Sequence, residues 1–356
     1  MGQLRDLLRT AKNVTKMSTT IFRRGRPLCL PSRRATAGGC PYIGLAILKF
    51  VLALGLTMLA TIAHAADASN KIRIGYPSSA VSTLPFDIAK EKSFYAKHGL
   101  EVEYIQMRSA LGPQAILNGN INFFTSPQSA INAAVAGLPL VVVLSLYRDA
   151  PWVLVTNKDI AKGQDLIGKR IAISDIRSSP YYYGRAGLRK LGLDEKQVGL
   201  VTTGGTSNSF TTLLTNQVVG AVLSPPFDEK AVTAGYKKFL FLGDLVDIPY
   251  VGLFTSQAEV RAQRERIRRT NAAVLDAVAW QKNNRAEAVK MIVQKFKLSA
   301  GEAERSYETM VAMFSDGSVP TKKVRSYLNL LREGRPVAED IDPDKLVDFS
   351  MLPTPR

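Results

Sequence analysis

The sequence predicts an α/β protein of two lobes, each an open, mostly parallel sheet flanked by helices, joined by two chain crossings. One unit occurs twice. Ser126-Pro127 precedes Gly137, and Ser224-Pro225 precedes Gly235, by the same eleven residues, each pair after an apolar, strand-like run (121–125 and 218–223). Apolar runs also alternate with stretches of helical period in the order βαβαβαβ, and the pattern restarts after Asp165. Two extended runs, 152–156 and 250–255, stand between the blocks as connecting segments. Two such lobes meeting at the carboxyl ends of their strands make a ligand cleft.

In order, Lys71–Gly75 reads as a strand and 82–98 as an amphipathic helix stopped by Gly99. Residues 101–107 alternate as a strand, 113–117 form a short helix, and 121–125 are the strand before helix 127–136. The unbroken apolar run 138–146 is a buried strand. The second block repeats the scheme: strand 171–174, helix 180–191, strand 199–203, a Gly204-Gly205 loop through Ser209 and a helix through Leu214. Strand 218–223, helix 226–234 and strand 239–242 complete it. From Ser256 to about Arg332 the period is helical throughout, followed by a polar tail. The division is 1–65 as a basic extension and signal peptide, 70–157 with 250–356 as the first lobe, and 158–249 as the second.

The formal charge of +17 is unevenly placed: residues 1–65 carry +9 and the remaining 291 carry +8, with acids and bases interspersed. The body is therefore a mildly basic protein without a nucleic-acid stripe. Residues 50–62 form a thirteen-residue apolar core after Lys49, followed by Ala63-His64-Ala65. A positive flank, an apolar core and small residues at −3 and −1 describe a secretory signal peptide cleaved near Ala65 or Ala66. With 42–48 added, the same stretch is long enough for a retained membrane anchor. Both cysteines, Cys29 and Cys40, lie in the leader. The mature chain thus has no Cys and only His98, which excludes disulfides, thiolate metal sites and Cys nucleophiles. No nucleophile elbow, phosphate loop or metal-ligand spacing occurs, so neither a cofactor nor a metal is expected.

Several helices open alike. Ser82 with Pro85, Ser126-Pro127, Ser179-Pro180 and Ser224-Pro225 put a hydroxyl and a proline at a helix start after a strand, and Gly112-Pro113 is a fifth proline start. Ser-Pro is also an ordinary cap. Several converging on one crevice, however, would present unpaired N–H groups and partial positive charge to an anionic or polar oxygen group. Gln128 lies in the first turn after Ser126. The run Arg177-Ser178-Ser179-Pro180-Tyr181-Tyr182-Tyr183 offers rings for a ligand face; three adjacent helical residues cannot all point one way, so Tyr181 or Tyr182 is the ligand candidate. Phe227 divides equally between contact and core, and Trp152 reads as core. Arg108, Arg148, Arg177 and Arg185 are candidates for pairing an anion, and His98 reads as a helix-end cap.

The chain resembles the substrate-binding proteins of ABC importers in the nitrate/sulfonate/taurine-type branch, which includes pyrimidine-precursor relatives. The resemblance rests on Pro85-Phe-Asp-Ile-Ala-Lys-Glu-Lys, Tyr95, Gly99-Leu-Glu-Val, Ala115-Ile-Leu-Asn-Gly-Asn, Gly137-Leu-Pro, Asp165-Leu-Ile-Gly-Lys-Arg, Val219-Gly-Ala-Val, Trp280 and Val347-Asp-Phe. Together they span about residues 70–350. It implies a type II-like periplasmic-binding-protein fold whose two lobes close by a hinge over one small molecule. It also implies a periplasmic monomer that delivers its ligand to an ABC permease with its ATPase. Its contact loops fall here on Ser78, Ser79, Ser82, Gly112, Ser126, Ser178, Ser179, Gly205, Thr206 and Ser224. Ligand identity does not carry over; sulfonate, carboxylate, nitrate-like anion and heterocycle all remain open. The alternatives are a membrane-anchored ligand sensor and an enzyme on the same fold. The pyrimidine-forming relatives use a Cys cluster that a mature chain without Cys lacks.

Overall fold

The structure, a computed structural model, describes residues 70–176, 178–333 and 336–353. The expected leader with its cleavage site, and Arg177, lie outside the described residues. The apolar runs become strands β1 (Lys71–Tyr76), β2 (Glu101–Gln106), β3 (Phe123–Phe124), β4 (Leu140–Tyr147), β5 (Val153–Thr156) and β6 (Arg170–Ile173). They continue as β7 (Gly199–Thr202), β8 (Gly220–Leu223), β9 (Lys237–Phe241), β10 (Gly252–Ser256) and β11 (Phe314–Gly317). One sheet has the order β11-β4-β10-β3-β1-β2 and the other β7-β6-β8-β5-β9. β1 runs parallel to β2, in register from Lys71↔Glu101 to Tyr76↔Gln106, and parallel to β3. β6 runs parallel to β7 and β8.

Both sheets are mixed rather than wholly parallel. The reversed strands are β10 and β11 in the first sheet and β5 in the second. β5 and β10 are the segments that enter each lobe from the other, so they arrive against the direction of the α/β units. This moves one boundary. The sequence reading assigned residues through 157 to the first lobe, but β5 lies between β8 and β9 in the second sheet. The first crossing therefore precedes Val153, and its extended conformation is strand pairing rather than connection.

Every residue of β4 is buried, as an apolar strand covered on both faces requires. The C-terminal helical stretch covers the first sheet but is not helical throughout. β11 interrupts it, because Phe314 stacks on Tyr147 at 4.9 Å and pairs with it along β4. The tail is fastened to the same strand: Val347 bridges Val142, and the Asp348 N–H donates to the Val142 carbonyl at 2.8 Å. Helix Ala300–Ala312 starts from a reciprocal cap, with the Ser299 N–H donating to the Glu302 carboxylate at 2.8 Å and the Glu302 N–H to the Ser299 hydroxyl at 3.4 Å. Among the described residues, no helix is long and apolar enough to cross a membrane.

The helix expected over 82–98 is broken into a 3-10 turn (Val81–Thr83), a helix (Leu84–Glu91) and a further turn of helix (Phe94–Lys97). The break sits at Ser93, whose φ is +59°. It aims Tyr95 into the core, where its hydroxyl lies 3.1 Å from the Tyr104 hydroxyl. A left-handed conformation is costly for any residue with a Cβ. Ser93 is exposed, so Ser93→Gly should stabilise the protein by up to about 1 kcal/mol. A urea midpoint at or below that of the unaltered protein would contradict this. His98 is the C-cap of the Phe94–Lys97 turn, as expected, and its Nε2 also lies 2.8 Å from the Asp276 carboxylate.

Candidate functional site

The loops after β1, β3, β6, β7 and β8 converge between the lobes around one cleft. Of the residues selected from sequence, Ser78, Ser82, Ser126 and Gln128 line it from the first lobe. Ser178, Ser179, Gly205, Thr206 and Ser224 line it from the second. Helices Pro127–Val135, Ser179–Lys190 and Thr206–Leu214 begin at its wall. Neither the Ser126 nor the Ser178 hydroxyl caps its own helix. Ser126 Oγ is 3.0 Å from Ser129 Oγ, and Ser178 Oγ donates to the Asp175 carbonyl at 2.5 Å.

Four buried polar atoms of cleft-lining residues have no hydrogen-bond partner: Thr125 Oγ1, Gln128 Oε1, Trp152 Nε1 and Ser179 Oγ. An unsatisfied buried group costs about 1–3 kcal/mol. Four around one cavity describe a surface shaped for a polar guest. Across the cleft, the Val81 N–H donates to the Pro225 carbonyl at 3.3 Å, and Arg108 Nη2 lies 3.5 Å from the Asp175 carboxylate. On the flank, Arg305 Nε donates to the Glu229 carboxylate at 2.9 Å, joining helix Ala300–Ala312 to the second lobe.

Two aromatic residues line the cleft that sequence reasoning did not select. Trp152, read as core, is 5% exposed and packs edge-on against Tyr250 at 5.8 Å. The Tyr250 hydroxyl lies 3.3 Å from Ser82 Oγ. Burial pushes its pKa up, so Tyr250 stays a neutral donor. Their signal was position: each stands at a crossing segment, where a residue belongs to both lobes. Thr125 was legible as the neighbour of Ser126.

Other selected residues lie elsewhere. Gly112 does not line the cleft; it is packed against Phe124, where a Cβ would come within 2.8 Å of the ring. Tyr182 is buried edge-on against Tyr327 at 5.5 Å, and Tyr181 lies beside the Arg185 guanidinium at 5.4 Å. Neither ring lines the cleft. Phe227 packs on Phe210 at 5.7 Å in the small core of the second lobe. Ser79 faces a neighbouring cavity. The second copy of the repeat also departs from expectation. Its helix starts at Phe227 with Pro226 as N-cap, so Pro225 is not the first helical residue; a residue preceding proline is disfavoured in the α region. Of the arginines, Arg148 donates to the Ala312 carbonyl at 2.8 Å and Arg185 pairs with Glu195. Among the described residues, Asp175 is the one charged side chain lining the cleft.

Two mixed α/β lobes around a polar cleft define the periplasmic-binding-protein fold. The chain belongs to the NMT1/THI5-like family, whose model matches residues 81–288. It is similar to the taurine-binding periplasmic protein of Escherichia coli (strain K12), 28% identical over 258 residues, which is 71% of each chain. The same fold is seen in the alkanesulfonate-binding protein SsuA from Xanthomonas axonopodis pv. citri bound to MOPS. That structure has a TM-score of 0.67 at 17% identity, covering 78% of this chain and 98% of the other. The periplasmic nitrate-binding protein NrtA from Synechocystis PCC 6803 aligns with a TM-score of 0.66 at 16% identity, covering 79% and 87%.

Proposed function

We propose that this protein is the extracytoplasmic solute-binding component of an ABC importer. It takes up one small organic molecule with an oxyanion head, a sulfonate or carboxylate, and hands it to a membrane permease in the closed form. The observation that carries this reading is the set of four partnerless buried polar atoms around one cleft, beside three helix N-termini. Helix starts neutralise an oxyanion with backbone dipoles and no cation. Trp152 Nε1 supplies a donor from one crossing, and Ser179 a hydroxyl from the second lobe. A ligand bridging both lobes favours closure only by its differential affinity for the closed form. Nothing in this arrangement pairs a nucleophile with a base, so the reading is binding without catalysis.

The test is a thermal-shift screen on the protein purified from the periplasm, against sulfonates, carboxylates, nitrate and heterocycles. A ligand at one hundred times its Kd should add about 2.7 kcal/mol of stability. One saturable sulfonate or carboxylate supports the reading; a response confined to nitrate or to heterocycles rejects the head group. Mass spectrometry of the same preparation should give a chain beginning near Ala66 or Asp67. An intact leader would favour the anchored sensor.

A further inference from the structure

The loop between β1 and the Val81–Thr83 turn separates two cavities. Pro77, Ser78 and Ala80 face the cleft, whereas Ser79 faces a second cavity. Thr83 and Thr125 line both, so the two spaces adjoin at these threonines. The Thr125 hydroxyl, buried at 3% exposure, has no partner at this junction.

The second cavity differs in chemistry from the cleft. Its walls are the rings of Tyr76, Phe86 and Tyr104. Tyr76 meets Tyr104 edge-on at 6.3 Å, and the Tyr104 hydroxyl donates to the Phe86 carbonyl at 2.6 Å. The walls are therefore held in place without a ligand. One polar pair lines it: Lys295 Nζ lies 2.8 Å from the Asp87 carboxylate. Burial pushes the Asp87 carboxyl up despite that partner.

We propose that this side cavity is a second subsite of the same binding site, taking a short alkyl or aryl tail of the ligand whose acid head occupies the cleft. The tail passes Thr83 and Thr125, packs between the tyrosine and phenylalanine rings, and presents any amine or hydroxyl at its tip to Asp87. The proposal rests on the acid-head reading above. It adds that tail length, rather than head charge alone, sets the preference among acids.

The experiment titrates paired acids into the full secreted protein by calorimetry: ethanesulfonate against hexanesulfonate, and propionate against heptanoate. Burying the added methylenes should make the longer acid of at least one pair bind about tenfold or more tightly. Tyr76→Trp narrows the side cavity and should remove that gain while leaving the shorter acid within about twofold. Tyr76→Ala widens it and should shift the preference to a longer chain, which keeps the test available if the tryptophan variant unfolds on heating. Equal affinity for long and short acids overturns the subsite and leaves the acid-head reading standing. A tail gain that survives Tyr76→Trp and does not move in Tyr76→Ala also overturns it. Silence toward every acid overturns both.

Discussion

Ser126→Trp is expected to abolish ligand binding while the protein stays folded. Ser126 is 3% exposed and lines the cleft at the start of helix Pro127–Val135. An indole there occupies the space facing Ser179 and Thr206 and prevents the lobes from meeting on a guest. Affinity should fall by more than about a hundredfold, or about 2.7 kcal/mol. The folded state loses one neutral hydroxyl contact, Ser126 to Ser129, worth about 1 kcal/mol. Titration with whichever solute the thermal screen identifies, alongside a melting curve, separates the two effects. Affinity within threefold of the unaltered protein, in a variant that melts normally, would reject the cleft as the binding site.

The second large effect is on stability. Phe124 is wholly buried, meets Phe254 edge-on at 5.7 Å and lies against two glycines. A Cβ on Gly75 would come within 2.5 Å of its ring, and one on Gly112 within 2.8 Å. The ring thus occupies space left by two absent side chains, and it spaces β1 from helix Gly112–Leu117. Removing it leaves a cavity that these backbones cannot fill without moving. Phe124→Ala should cost about 3–5 kcal/mol, read as a lower urea midpoint at unchanged slope. A loss below about 1 kcal/mol would show that the surroundings collapse around the vacancy and that the ring is not their support.

These two residues show what the sequence discloses. Ser126 was legible because a strand, a hydroxyl and a helix-starting proline occur together, and the same logic found Ser82 and Ser179. Gly112 followed that logic too, yet its constraint is close packing against Phe124; a glycine at a helix start reads the same whether a ligand or a ring approaches it. Tyr182 and Phe227 were selected as aromatic residues near helix starts, but a helix carries each side chain a further 100° around its axis, so nearness in sequence did not put them in the cleft. Trp152 and Tyr250 were missed because their surroundings come from both lobes and exist only after folding. β11 was missed for a local reason: Phe-Ser-Asp-Gly holds one apolar residue, too few to show alternation, and its partner strand supplies the rest. The alternation of sheets and helices was visible because each strand carries its own apolar run.

The position of β10 bears on how the molecule is assembled. In the first sheet it lies between β3 and β4, strands that precede it in the chain by more than a hundred residues. Until residues 252–256 arrive, β3 and β4 have no common neighbour, and the whole second lobe is made in the interval. The last-formed partners of β4 come later still, from β11 and Val347. Contacts between parts so distant in the chain form slowly. The second lobe, a continuous stretch, has all its strands available before the first has its centre. A chain interrupted before β10 would hold one complete sheet and one with a gap through its middle, so completion of the first lobe waits on residues made after the whole of the second.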